Sequence, residues 1–85
     1  MVYKIQIEKS ALKQLSKLEK SIRKKIAAKI DELAFNPRPF GYIQLVDKDR
    51  TYRIRVGNYR ILYDVFDNVL VVNVISIAMR NERTY

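Results

Sequence analysis

The chain is predicted to fold as α+β: an N-terminal strand, an α-helical hairpin, then an antiparallel meander of three or four strands, with the helices on one sheet face. Three observations carry this. The opening VYKIQI alternates apolar and polar residues with period two. From Glu8 to Phe35 the apolar positions recur at helical spacing instead. From Thr51 onward the period-two pattern returns, interrupted by Gly57-Asn58 and Asp67-Asn68.

Each element follows in order. Residues 2–7 form the first strand. Leu12, Leu15 and Leu18 mark one face of a helix over 9–18, and Ile22, Ile26, Ile30 and Leu33 mark the face of a second over 21–35. Glu19-Lys20-Ser21 joins them, with Ser21 as N-cap of the second helix. Asn36-Pro37 ends that helix, because a residue before proline avoids the α region. The run NPRPFGY is a loop, Ile43–Val46 a short edge strand, and Asp47-Lys48-Asp49 a polar turn. Strands over Thr51–Val56, Tyr59–Phe66 and Val69–Ile77 complete the meander, and both intervening dipeptides suit two-residue hairpin turns. No repeat or linker divides the chain, so residues 1–85 are expected to form a single domain.

Composition narrows the chemistry. With 48% hydrophobic residues and only two Gly and two Pro, the chain is globular rather than disordered. It has neither cysteine nor histidine, which excludes disulfides, thiolate catalysis and the usual imidazole proton carrier. No metal and no cofactor is expected. The longest apolar run, Val69–Met79, is short and broken by Asn73 and Ser76, and MVYKIQIEKS lacks a signal-peptide layout. A cytoplasmic location without membrane attachment is expected. Seventeen Lys and Arg against nine Asp and Glu give a net charge of +8, an attractive field for polyanions. Nucleic acid, an acidic membrane surface and an acidic protein all answer that description, and charge alone does not choose among them.

The segment TYRIRVGNYRILY is more specific. A Gly57-Asn58 hairpin sets Val56 opposite Tyr59, Arg55 opposite Arg60, Ile54 opposite Ile61 and Arg53 opposite Leu62. Alternation then puts Tyr52, Ile54, Val56, Tyr59, Ile61 and Tyr63 on the helix side. Thr51, Arg53, Arg55, Arg60, Leu62 and Asp64 take the other face. Like charges directly opposite destabilise a sheet by roughly 0.2–1 kcal/mol, and Asp64 is the one carboxylate there to offset three cations. Such a cluster makes sense when a polyanion completes it, because the guanidinium fork matches phosphate oxygens. A solvated face is the plainer reading of any single arginine.

The tail AMRNERTY adds Arg80, Arg83 and Tyr85, cations beside an aromatic suited to stacking on an unpaired base. Strict alternation puts Arg80 on the helix side, so the last strand must bend or bulge for Arg80 to join the cluster. On the helical hairpin, Lys13, Lys17, Lys20 and Lys24 could form a basic stripe. Together with Arg83, the lysines Lys13, Lys17 and Lys24 are candidates for non-specific phosphate contacts to RNA.

The run YRIRVGNYRILYDVFDN, preceded by NPRPFGY and followed by a strand and an arginine-rich tail ending in tyrosine, resembles the RelE/ParE toxin superfamily over essentially the whole chain. The likeness is strongest to its RelE branch. It implies a toxin of a type II toxin–antitoxin system that enters the ribosomal A site, cleaves the mRNA codon there and is bound by a cognate antitoxin. By position the resemblance assigns catalysis to Arg53 and Arg55 on the strand before the hairpin turn, Arg60 after it, Arg80 beyond the last strand, and Tyr85. Some relatives carry lysines at the strand pair and others use glutamate and histidine. Here both strand positions are arginine, which stays protonated and is a poor general base. Tyr85, Asp64 and Glu82 are the candidate groups for proton transfer. A ParE-like gyrase-inhibiting toxin and a non-catalytic basic RNA-binding module are the alternatives, since one fold hosts all three.

Overall fold

The computed structural model describes residues 2–79. The elements run β1 (Lys4–Ile7), α1 (Lys9–Ser16), α2 (Lys20–Leu33), β2 (Ile43–Gln44), β3 (Thr51–Val56), β4 (Tyr59–Phe66) and β5 (Val71–Met79). The five strands make one sheet in the order β1-β5-β4-β3-β2. The predicted meander is present as β2 through β5. The N-terminal strand joins it by pairing parallel to β5, with Lys4 opposite Val71 and Ile7 opposite Val74. The sheet is therefore mixed.

The core lies between the helices and one sheet face. Ala11, Ile26, Ile30 and Leu33 pack against Ile54, Ile61, Tyr63, Val65, Val72, Val74 and Ile77, and Tyr3, Ile5 and Ile7 extend the layer from the N-terminal side. The Ile22–Leu33 periodicity faces inward as predicted. Leu12 does not: it is 52% exposed, while Ala11 is fully buried. The inward stripe of the first helix is Ala11, Leu15 and Leu18, and Leu12 lies one residue of helical rotation away from it.

Several expected boundaries move. The N-cap of α2 is Glu19 rather than Ser21; Glu19 is extended (ψ 145), makes no side-chain cap bond, and its carbonyl accepts from Arg23 N at 2.8 Å. Leu18, packed on the core, leaves only a short join, so the second helix begins two residues earlier than the serine suggests. It also ends at Leu33, not at residue 35. β2 is shorter than the predicted 43–46, and Leu45 N instead donates to Thr51 O at 2.9 Å.

The β3–β4 hairpin has the predicted register throughout, from Thr51 opposite Asp64 to Val56 opposite Tyr59. Gly57 takes φ 58, the positive value a hairpin of this kind demands of its first turn residue. The next connection differs. Asp67-Asn68 is not a two-residue turn: the loop spans 67–70, with Leu70 at φ 55, and Phe66 pairs with Val71. A β-bulge follows, because Tyr63 pairs with Val74 but Leu62 with Ser76, which leaves Ile75 without a partner in β4. The longer loop and the bulge together put Ala78 opposite Arg60, three residues further along the strand than an uninterrupted two-residue turn would.

Candidate nucleic-acid interface

The face away from the helices carries the arginines. Arg55 and Arg60 are directly paired across β3 and β4, and Arg53 is paired with Leu62 on one side and with Ile43 of β2 on the other. Their exposures grade across the face: Arg55 is exposed, Arg53 half-buried, and Arg60 is buried at 8% exposure in the middle of the sheet. The Nε of Arg53 is buried with no hydrogen-bond partner among the described residues. A buried donor left so costs on the order of 1–3 kcal/mol. Asp64, the carboxylate of this face, accepts a hydrogen bond from Thr51 Oγ1 at 2.5 Å.

The β5 bulge changes which residues border this cluster. Beyond it, Ser76 and Ala78 stand beside Leu62 and Arg60, and Ile77 turns into the core opposite Ile61. Arg80, Arg83 and Tyr85 lie outside the described residues. Lys13, Lys17 and Lys24 are all exposed, Lys13 on α1, Lys17 at its C-cap and Lys24 on α2. They belong to the helical layer, across the sheet from the arginine face. Among the described residues no group of three or more His, Asp and Glu is arranged to hold a metal ion, and no helix is long and apolar enough to cross a membrane.

A second polar cluster was not singled out in the sequence. Arg38, between Pro37 and Pro39, donates to both oxygens of Asp67 at 2.7 and 3.2 Å and to the Tyr52 hydroxyl at 3.1 and 3.2 Å. Its guanidinium also lies 5.0 Å from the centre of the Tyr52 ring. Tyr3 donates its hydroxyl proton to Asp67 Oδ1 at 2.7 Å, and Tyr63 donates to Pro37 O at 2.7 Å. The hydrogen bonds from Arg38, then from Tyr3, hold the Asp67 carboxyl down at about 2. The same contact with Asp67, followed by that with Tyr52, pushes Arg38 further up, and burial raises the Tyr63 phenol. A cleft of about 450 Å³ opens beside this cluster, lined by Arg38, Arg50, Tyr52, Phe66, Asp67 and Asn68. The signal in the sequence was the NPRPFGY run itself, with a cation held between two prolines. Its partner stands 29 residues away, beyond the reach of local pattern.

Fold and site together define a class: a small basic α+β protein with an arginine-bearing sheet face. Residues 5–83 match the family described as "ParE toxin of type II toxin-antitoxin system, parDE", and the chain belongs to that family. Among individual proteins, it is 34% identical to a Methanocaldococcus jannaschii protein provisionally named toxin RelE1, over 100% of this chain and 97% of that one. It is 30% identical to the protein named mRNA interferase toxin RelE of Escherichia coli (strain K12), covering 94% of this chain and 85% of the relative. Among solved structures, the archaeal RelE–RelB complex from Pyrococcus horikoshii OT3 superposes with a TM-score of 0.86 at 29% identity, over 96% of this chain and 99% of the other. The intact E. coli RelBE toxin–antitoxin complex gives 0.81 at 29% identity, over 94% and 99%. The resemblance carried by the YRIRVGNYRILYDVFDN run is thus matched over nearly the whole chain, in sequence and in fold.

Proposed function

We propose that this protein is a RelE-type mRNA interferase: a toxin that cleaves mRNA in the ribosomal A site, inhibits translation in the cytoplasm and is silenced by a cognate antitoxin. The observation that carries the reading is the Arg55–Arg60 pair, with Arg53 beside it, on the sheet face opposite α1 and α2. Cleavage by the neighbouring 2′-hydroxyl places extra negative charge on the phosphorus centre, and prepositioned guanidinium groups stabilise such charge without needing to reorganise. Arg53, Arg55 and Arg60 take that role, joined by Arg80 and Tyr85 from the C-terminal segment. Arginine does not serve as the base. Catalysis here is mainly electrostatic and positional, and the ribosome contributes the in-line geometry of the substrate. The relative named mRNA interferase and the RelE structures solved with RelB support the substrate and the antitoxin partner.

The test is primer extension on mRNA exposed to purified protein, with programmed ribosomes and with naked RNA. A cut inside the A-site codon is expected only with ribosomes, and Arg55→Ala should reduce it roughly 10²-fold. Arg55 is the better first substitution, because Arg60 is buried and its loss also perturbs packing. Vigorous cutting of naked RNA would overturn the ribosome-dependent version. The family description names ParE, which favours gyrase as the second target. No cut with ribosomes, together with a DNA-damage response on expression, would transfer the reading to gyrase inhibition.

A further inference from the structure

β5 changes neighbours half-way along its length. β1 ends at Ile7, opposite Val74, and the chain enters α1 at Lys9, with Glu8 N donating to Val74 O at 2.9 Å. Beyond Val74 the edge that β1 covered is left to α1. The bulge falls at this point, with Ile75 the residue that has no partner in β4. In an extended strand the N–H and C=O of one residue point to the same side, and successive residues alternate. Without the bulge Ser76 would follow Val74 in facing the vacated edge; with it, Ile77 does. The Ile77 N–H donates there to Gln14 Oε1, at 2.8 Å and partly buried. A side chain of α1 thus takes the place of the missing strand.

The consequence reaches the arginine face. The bulge reverses the side-chain alternation, so Val72, Val74 and Ile77 all enter the core and Ala78 stands opposite Arg60. An extra residue in a strand is free to migrate along it unless something marks its position, and a slip of one residue exchanges the two faces. Gln14 marks it by accepting from one particular N–H.

We propose that Gln14 is a positioning residue. By holding the β5 bulge in place it sets the alternation with which the strand leads, past Met79, into the segment bearing Arg80 and Tyr85. Its functional part rests on the ribonuclease reading above; its structural part does not.

Two variants test it: Gln14→Leu, which keeps the bulk and removes the acceptor, and Gln14→Glu, which keeps an acceptor oxygen. In amide hydrogen exchange followed by NMR, Gln14→Leu should speed exchange at Ile77 by about tenfold or more. The resonances of residues 76–85 should move with it. On programmed ribosomes its kcat should fall roughly ten- to hundredfold with KM nearly unchanged, since the substitution removes no charge from either basic surface. Gln14→Glu should recover most of each loss. Unchanged Ile77 exchange in Gln14→Leu would overturn the pin, and faster exchange with unmoved 76–85 resonances would overturn the positioning. Equal losses with both variants would do the same. If the wild-type protein cuts nothing on ribosomes, the ribonuclease reading fails, and the exchange and resonance data alone decide whether Gln14 sets the strand.

Discussion

Asp67 ties three separate segments together with one carboxylate. It sits in the β4–β5 loop and accepts from Tyr3, just before β1, and from Arg38 in the loop after α2. With its folded value at about 2 against an ordinary 3.8, the group favours the folded state wherever it is ionised. The sign follows: a depressed carboxyl contributes in full above its unfolded value and loses that contribution as pH falls through the folded one. The window therefore runs from about pH 4 down to about pH 2. The Asp67 side chain is 55% exposed, so solvent screening keeps the contribution below ~1 kcal/mol. Asp67→Asn should lower the urea midpoint slightly at neutral pH, and the difference from wild type should close as both are taken toward pH 2. A gap that persists at the acid end would show that the amide disturbs packing rather than removing a charge. Tyr52 links this corner to the arginine-bearing hairpin, stacking on Tyr63 with ring centres 5.9 Å apart and planes at 24°.

The hairpin of β3 and β4 decides which side chains share a face, and Gly57 decides the hairpin. An added Cβ at Gly57 would meet no atom within 4 Å, so substitution there is resisted by φ 58 alone. Gly57→Ala should cost about 1 kcal/mol or more. It should also weaken cleavage beyond what lost stability explains, since Arg55 and Arg60 depend on the turn for their alignment. Thermal denaturation together with activity measured well below the midpoint separates the two effects. This hairpin was legible in the sequence because everything that fixes it is local: a two-residue turn and unbroken alternation on both sides. The Asp67-Asn68 turn has the same local signature and turned out longer, because Asp67 is held from outside by Arg38 and Tyr3 and Leu70 takes the left-handed conformation. The bulge at Ile75 was out of reach for a similar reason. It lies where β1 ends and α1 supplies an acceptor, a coincidence of elements some 60 residues apart. Leu12 and Ala11 show the limit in a helix, where neighbouring apolar positions compete for one stripe and packing alone decides which wins.

At the scale of the molecule, the helices and sheet separate two basic surfaces. Arg53, Arg55 and Arg60 lie on the sheet face opposite α1 and α2, while Lys13, Lys17 and Lys24 lie in the helical layer. A single RNA strand threading the arginine face does not automatically reach those lysines, whereas a bulky polyanion such as ribosomal RNA can contact both surfaces at once. The net charge of +8 draws either one, so affinity alone does not separate the two surfaces, but salt dependence does. For single-stranded nucleic acid each neutralised phosphate contributes about −0.7 to the slope of log affinity against log salt. Replacing Lys13, Lys17 and Lys24 together by glutamine should leave the slope for a short single-stranded RNA nearly unchanged, since the proposed path of that ligand runs over the arginine face. For programmed ribosomes the same triple variant should flatten the slope by about 2, the sum over three lost phosphate contacts. Fluorescence titrations between low and physiological salt measure both. If the short RNA loses as much slope as the ribosome does, the lysines belong to the path of the cleaved strand. If neither changes, they are solvated charges, and the arginine face carries the whole interaction.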